Sequence, residues 1–296
     1  MNGLPDFIII GAMKCATTTL HAQLAHQPGF FLSEPKEPNF FSNDEIYARG
    51  MDWYRGLFAG APPGALCGES STHYTKLPTY PRTIERMTEH VPGAKLIYVM
   101  RHPIDRLVSQ YVHEWTQRVI STPIDDALDD HPELIDYSRY AMQLRPFLDT
   151  HGRSRVLPVF FDNLGTRPRA ELERVCRFLG HAGTPAWRAE DDAQNTSSER
   201  MRRSPLRDAV LNFPPARWAR RALVPVSVRE RVKALWMMKK RPELSAGNVE
   251  RLEKIFDEDL AEVGRWLGIE LNCRNFKQAA AATPPGWAEA GGGPRS

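Results

Sequence analysis

The segment Phe7–Leu20, FIIIGAMKCATTTL, constrains the fold more than any other in the chain. Asp6–Ile10 reads as a strand, and its run of apolar residues lacks the alternation of a half-solvated sheet, so both of its faces are buried. Thr17–His26 reads as a helix. The turn between them holds a glycine, a lysine and the start of a threonine triplet. A buried strand that passes this quickly into a helix is the first half of a β–α unit, and such units build parallel sheets.

Further strands and helices alternate along the chain. A short strand is expected near Ala65–Gly68, a helix over Tyr80–His90 and a buried strand in AKLIYVMR. A helix follows over Pro103–Trp115, where Pro103 suits a first turn. RVLPVFFDNL reads as another buried strand despite Pro158, and RAELERVCRFLG as an amphipathic helix that stops at Gly180. Asn248–Leu267 carries an apolar stripe at helical spacing. Residues 203–240 read as helix broken by prolines. The fold class is therefore α/β: one domain over 1–278, with a P-loop-like parallel sheet flanked by helices on both faces. The Ala-, Pro- and Gly-rich stretch 279–296 is expected to be a disordered tail.

The 296 residues are 42% hydrophobic and carry a net charge of +3. That balance gives no reason to expect nucleic acid, and no apolar run approaches the length of a membrane span. The opening MNGLPDFIIIGAMK has an acid where a secretory leader carries positive charge, so the expectation is a cytoplasmic protein with reduced thiols. The four cysteines, Cys15, Cys67, Cys176 and Cys273, are too scattered to suggest a zinc site. Cations crowd into 199–241, as either a solvated helix face or the rim of an anion site.

Against the common nucleotide loop, G-x-x-x-x-G-K-[ST], the loop after Gly11 is displaced. Ala16 stands at the second glycine, Thr17 at the lysine and Thr18 at the final hydroxyl, while the lysine has moved forward to Lys14. The loop still opens a helix and so still offers amides to an anion. The strand that ends in YVM is followed by Arg101, not by an acid that would hold magnesium.

G-x-x-K-x-x-T-T-x-L after a first strand resembles the 5′-phosphosulfate loop of sulfotransferases that use 3′-phosphoadenosine 5′-phosphosulfate (PAPS). YVMRHPIDRLVSQYVHEW is similar to the same family's 3′-phosphate site, an arginine at a strand end and a serine eight residues on, here Arg101 and Ser109. PKEPNFF followed by GMDWYRGLF resembles the heparan sulfate sulfotransferase branch, in which the glutamate matching Glu37 is the catalytic base. GESSTHY resembles that branch's next segment, usually E-K-S-x-x-Y, with Ser70 in place of the lysine. His113 falls where N-sulfotransferase members have an active-site histidine. NTSSERMRR, with Ser198 and Arg200, sits where a loop closes over the adenine and 3′-phosphate. The resemblance spans about residues 5–270.

What the resemblance implies is sulfuryl transfer from PAPS, without a metal, to a hydroxyl-bearing acceptor (glycan, lipid or small molecule) and less readily to an amine. Gly11, Lys14, Ala16, Thr17, Thr18 and Thr19 would hold the 5′-phosphosulfate. Arg101, Ser109, Ser198 and Arg200 would hold the 3′-phosphate side, and Glu37, Lys14 and His113 would carry the chemistry. The spent cofactor would be adenosine 3′,5′-bisphosphate. Two other readings stand beside it: a magnesium-dependent P-loop phosphotransferase, and a nucleotide-binding module without catalysis.

Overall fold

A computed structural model describes residues 3–189, 241–282 and 286–288. Its centre is β1 (Phe7–Gly11), whose residues are all buried. Five strands form one parallel sheet in the order β2-β3-β1-β4-β5, with β2 at Phe30–Leu32, β3 at Leu66–Ser70, β4 at Lys95–Met100 and β5 at Val156–Phe160. Phe7 lies opposite both Gly68 and Lys95, which fixes the register on its two sides. From β1 the chain crosses to β2 at the edge, comes back to β3 between β2 and β1, then passes to β4 on the other side of β1 and outward to β5. Crossovers between parallel strands are right-handed, so this reversal puts helices on both faces. It also opens a crevice at the carboxyl ends of β1 and β4, where open α/β sheets bind ligands.

Pro158 is tolerated because β5 is an edge strand, where a missing N–H leaves no neighbour unpaired. The apolar run that includes it is shorter as a strand than its sequence suggests, since Phe161–Thr166 already forms a helix. The helix expected from Tyr80 begins only at Thr83, because Tyr80 and Pro81 belong to a turn in which Thr83 N–H donates to Tyr80 O at 3.3 Å. The helices named below are α1 (Thr17–Ala25), α2 (Asp44–Tyr47), α3 (Met51–Gly56), α4 (Thr83–His90), α5 (Pro103–Thr116), α6 (Ile124–Asp130), α7 (Glu133–Asp136) and α8 (Tyr140–His151). They are followed by α9 (Phe161–Thr166), α10 (Pro168–Leu179), α11 (Ala246–Leu267) and α12 (Phe276–Ala282).

The body runs past the expected boundary at 279. Helix α12 buries Phe276 and Ala280, and the Trp287 indole N–H donates to Val156 O at 2.6 Å. An alanine-rich stretch carries little periodic signal, but one aromatic anchor on each side is enough to dock it.

Helix α11 reaches the site indirectly. The Asp259 carboxylate accepts the amides of Ala141 and Met142 at 2.8 and 3.0 Å, capping the start of α8 from outside that helix. The first residue of α8, Tyr140, exchanges hydrogen bonds with the backbone of Arg101. The strand end at the crevice is thus held by a chain of contacts that starts far away in sequence.

Candidate active site

Gly11 ends β1 under close constraint. Thr75 Oγ1 donates to Ile10 O at 2.8 Å, and a Cβ on Gly11 would lie 2.0 Å from that same oxygen. Ala12 N–H then donates to Val99 O at 2.9 Å, which ties the loop to β4. Lys14 and Ala16 both take left-handed backbone, with φ of 68° and 61°. Ala16 is the N-cap of α1, so no side chain caps that helix, and its first turn contains no acid. The backbone amides and the positive helix end favour an anionic ligand. Thr17 is buried, Thr19 half-buried and Thr18 exposed, while Lys14 is half-buried at the lip of the loop.

Arg101, the residue after β4, comes to this loop. Its guanidinium donates to Lys14 O at 3.4 Å and lies over the Phe161 ring, 4.7 Å from the centroid. Ser109 is half-buried about two turns further along α5. Arg106, between them, is fully buried and donates to Gln110 Oε1 at 2.8 Å and Leu134 O at 2.9 Å. Ser198 and Arg200 lie outside the described residues. Arg241, where description resumes, pairs with Asp105 near the start of α5 at 3.1 Å, and Lys277 pairs with the other oxygen of that carboxylate at 2.7 Å.

Glu37 lies on the chain between β2 and α2, between Pro35 and Pro38. Its Oε1 takes Lys36 Nζ at 2.8 Å, and its Oε2 accepts Thr72 Oγ1–H at 3.3 Å. Three further basic groups lie within its field. His21, on α1, shares a hydrogen bond of 2.9 Å with Ser70 Oγ, and burial with Lys36 nearby lowers it to about 4. His73 stacks on Tyr80, with centroids 4.9 Å apart, and burial with Lys76 nearby lowers it to about 4. Burial lowers Lys76 to about 8 against the opposing pull of Glu114 and Glu37. At neutral pH the crevice therefore holds two neutral imidazoles and a lysine that titrates close to working conditions.

His113 is half-buried on α5, one turn beyond Ser109. Beside it, burial holds Glu114 above the ordinary carboxylate range, although Lys76 and Lys14 pull the other way. Glu69 faces inward with no solvent exposure. Burial lifts it to about 7, against three hydroxyl donors that favour its charged form. Among the expected residues, the structure joins Gly11, Lys14, Ala16, Thr17 and Arg101 in one locus and sets Glu37 on the side where Thr72, His73 and Lys76 converge. His21, Lys76 and Glu114 were not legible in the sequence. His21 falls on the same face of α1 as Thr17, four residues earlier, and that spacing was the available signal.

Known proteins resemble the chain in both sequence and fold. Residues 64–185 match the model described as the sulfotransferase family, a stretch that begins after Lys14 and Glu37. A solved sulfotransferase from Alicyclobacillus acidocaldarius is 26% identical, covers 77% of this chain and 99% of its own, and superposes with a TM-score of 0.55. The chain resembles sulfotransferases in sequence over that stretch and in fold.

Curated sulfotransferases resemble it to a similar degree. A bovine bifunctional heparan sulfate N-deacetylase/N-sulfotransferase 2 is 30% identical over 60% of this chain and 22% of its own length. A mouse heparan sulfate glucosamine 3-O-sulfotransferase 3B1 is also 30% identical, over 60% of this chain and 46% of its own. The chain therefore spans between about a fifth and a half of these curated sulfotransferases. A mouse sulfotransferase complexed with PAP shares the fold at a TM-score of 0.54 and 14% identity, over 94% of this chain and 89% of its own.

Proposed function

We propose that this protein is a sulfotransferase that transfers a sulfuryl group from PAPS to a hydroxyl-bearing acceptor. The observation that carries the reading is the contact of Arg101 with the Lys14 carbonyl. It brings a fork of cationic donors to a helix start whose first turn contains no acid. That donor set suits a ligand with separated anionic groups.

Lys14, the Thr17–Thr19 hydroxyls and the loop amides hold the 5′-phosphosulfate. Arg101 and Ser109 would hold the 3′-phosphate, with Ser198 and Arg200, outside the described residues, as further candidates. When bound, PAPS supplies an electrophilic sulfur and a phosphate leaving group. The acceptor oxygen forms its bond to sulfur while the sulfur–oxygen bond to phosphate breaks. The bonding pair stays with the phosphate oxygen, and the acceptor proton passes to Glu37. Lys14 opposes the charge that grows on the leaving oxygen, so its contribution is larger in the transition state than in the ground state. Glu37 suits the role of base because Lys36 and Thr72 orient its carboxylate while a third of the side chain stays open to solvent, at 33% exposure. His113 lines the acceptor side.

The test is incubation with PAPS and a panel of hydroxyl and amine acceptors drawn from glycans, lipids and small molecules, read by mass spectrometry. The expected result is an acceptor heavier by one sulfuryl group, with adenosine 3′,5′-bisphosphate released. Magnesium-dependent turnover of ATP in place of PAPS would overturn the reading in favour of a phosphotransferase. Binding of the bisphosphate with no transfer to any acceptor would leave a binding module.

A further inference from the structure

Three consecutive residues at the end of β3, Ser70 to Thr72, each hold part of the segment that carries Glu37. Ser70 N–H donates to Lys36 O at 3.4 Å, on one side of Glu37. Ser71 Oγ accepts Asn39 N–H at 3.0 Å, on the other side. Thr72 Oγ1 donates to Glu37 itself. Behind them, Glu69 Oε2 accepts the Ser71 hydroxyl at 2.6 Å, and Glu69 Oε1 accepts the hydroxyls of Tyr54 and Tyr74, both at 2.8 Å. The Tyr74 oxygen in turn accepts Phe41 N–H at 3.4 Å. The two oxygens of one buried carboxylate thus stand behind both anchor points of the chain just after Glu37.

The anchored chain does not hold this shape by itself. Asn39 has φ of +51°, and its side-chain oxygen is buried without a partner among the described residues. A left-handed residue with an unmet polar atom persists only where its surroundings over-determine it. Glu69 also meets a specific requirement. Its three partners are hydroxyl donors, and only a carboxylate offers acceptors on both oxygens. An apolar side chain would fill the space without the desolvation cost, yet it would release all three hydroxyls.

We propose that Glu69 is a positioning residue for the transfer reaction: through Ser71 and Tyr74 it fixes the segment from Lys36 to Phe41, and so the Glu37 carboxylate, in the arrangement that removes the acceptor proton. The proposal rests on reading Glu37 as the base. Glu69 itself touches neither acceptor nor cofactor. Its influence passes through two hydroxyls and two backbone amides.

The experiment uses the full chain and three variants, Glu69→Gln, Ser71→Ala and Glu37→Gln, together with the double variant Glu37→Gln/Ser71→Ala. Glu69→Gln turns one acceptor into a donor that faces Ser71, and Ser71→Ala removes a single hydroxyl if the first variant fails to fold. Hydrogen exchange reads the amides of residues 36–43, with residues 7–20 as the internal control. Single-turnover transfer from PAPS to N-acetylated, desulfated heparan oligosaccharide reads the chemistry. Calorimetry with adenosine 3′,5′-bisphosphate reads the cofactor side.

For Ser71→Ala we expect about tenfold faster exchange confined to residues 36–43 and a transfer rate about 10- to 100-fold lower, the scale of a misplaced catalytic group. Affinity for the bisphosphate should stay within twofold of the parent. On the Glu37→Gln background, Ser71→Ala should cost nothing further, because the group it positions is already gone. Unchanged exchange, a parental rate, equal loss of bisphosphate affinity, or a loss that multiplies with Glu37→Gln would overturn the proposal. A parent that transfers nothing to this oligosaccharide or to any acceptor of the panel, while exchange still loosens in Ser71→Ala, would instead sink the functional reading and leave the clamp standing.

Discussion

The two sides of the crevice are built differently. The loop from Gly11 to Thr19 is local: one strand end, one helix start and a few residues between, with Thr75 and Arg101 brought in as supports. The Glu37 side is assembled from distant pieces. Glu37, His21 and the pair Thr72 and Lys76 come from three separate stretches of chain, and the carboxylate at its base, Glu69, draws on Tyr54, Ser71 and Tyr74. A local anion site is inexpensive to keep, because a helix start supplies most of it. A positioned base demands many long-range contacts, since small displacements cost rate. Damage on one side should therefore be separable from damage on the other.

The strongest separation is expected at Glu37. Glu37→Gln keeps size and much of the hydrogen bonding but removes the base, and a positioned carboxylate contributes about 10²–10⁴-fold. Single-turnover transfer should fall by about two orders of magnitude or more, in that range, with bisphosphate affinity near the parent's. A parental rate would move the base elsewhere in the crevice.

On the other side, Arg101→Ala should remove a charge-assisted contact of roughly 1.5–3 kcal/mol. Calorimetry should then show the preference for adenosine 3′,5′-bisphosphate over adenosine 5′-phosphate reduced about 10- to 100-fold, the equivalent of that energy. If the variant keeps the full preference, Arg101 serves the loop and not the 3′-phosphate.

Gly11→Ala strikes the support under the loop. The new methyl would meet Thr75 Oγ1 and, at 3.1 Å, the Tyr98 ring. Overpacking of this kind costs about 1–3 kcal/mol, and denaturant unfolding should show it. Hydrogen exchange at residues 36–43 should stay as it was, and a change there would mean that the two sides are less independent than their construction suggests.

The smallest effect is a pH dependence from Glu69. Its carboxyl is lifted to about 7 in the folded protein, against 4.5 as the ordinary value. Between those values the folded chain keeps a proton that the unfolded chain has released, so stability is fully present below the lower value and is lost as pH rises through the upper one. His21 and His73, lowered to about 4, act in the opposite sense below about 6.5. Comparison with Glu69→Gln isolates the carboxylate: the parent's melting temperature should fall relative to that variant by about 2–6 °C between pH 5 and 8. A constant difference across that range would show that Glu69 is charged throughout.

Much of the sheet was legible because parallel strands are apolar runs, and β1, β4 and β5 announce themselves that way. The three-residue β2 did not, being too short to show any pattern. Helices α6 to α8 were also missed: α7 is tied to the buried Arg106 through Leu134 O, a contact that no periodicity records. Within the site, Lys14, Arg101 and Ser109 could be found because their motifs, at the ends of strands that are themselves legible, resemble those of sulfotransferases. The residues around Glu37 could not, because Glu69, Tyr54 and Tyr74 meet only after the chain has folded back through β3. The composition of 279–296 hides the docking of part of it, which rests on the single Trp287.

Cys15 sits inside the anion loop, between the two left-handed residues, and is fully buried. Burial pushes its thiol up to about 11, against the pull of Arg106 and Arg101, so it stays protonated and poorly nucleophilic in the closed loop. Cys67, on β3, is only part-buried and stands within reach of reagents. A thiol-directed alkylating agent should therefore mark Cys67 early and reach Cys15 only when the loop opens. The rate of that second, slower labelling is a direct clock for loop opening in the native protein, and a nucleotide that fills the loop should slow it.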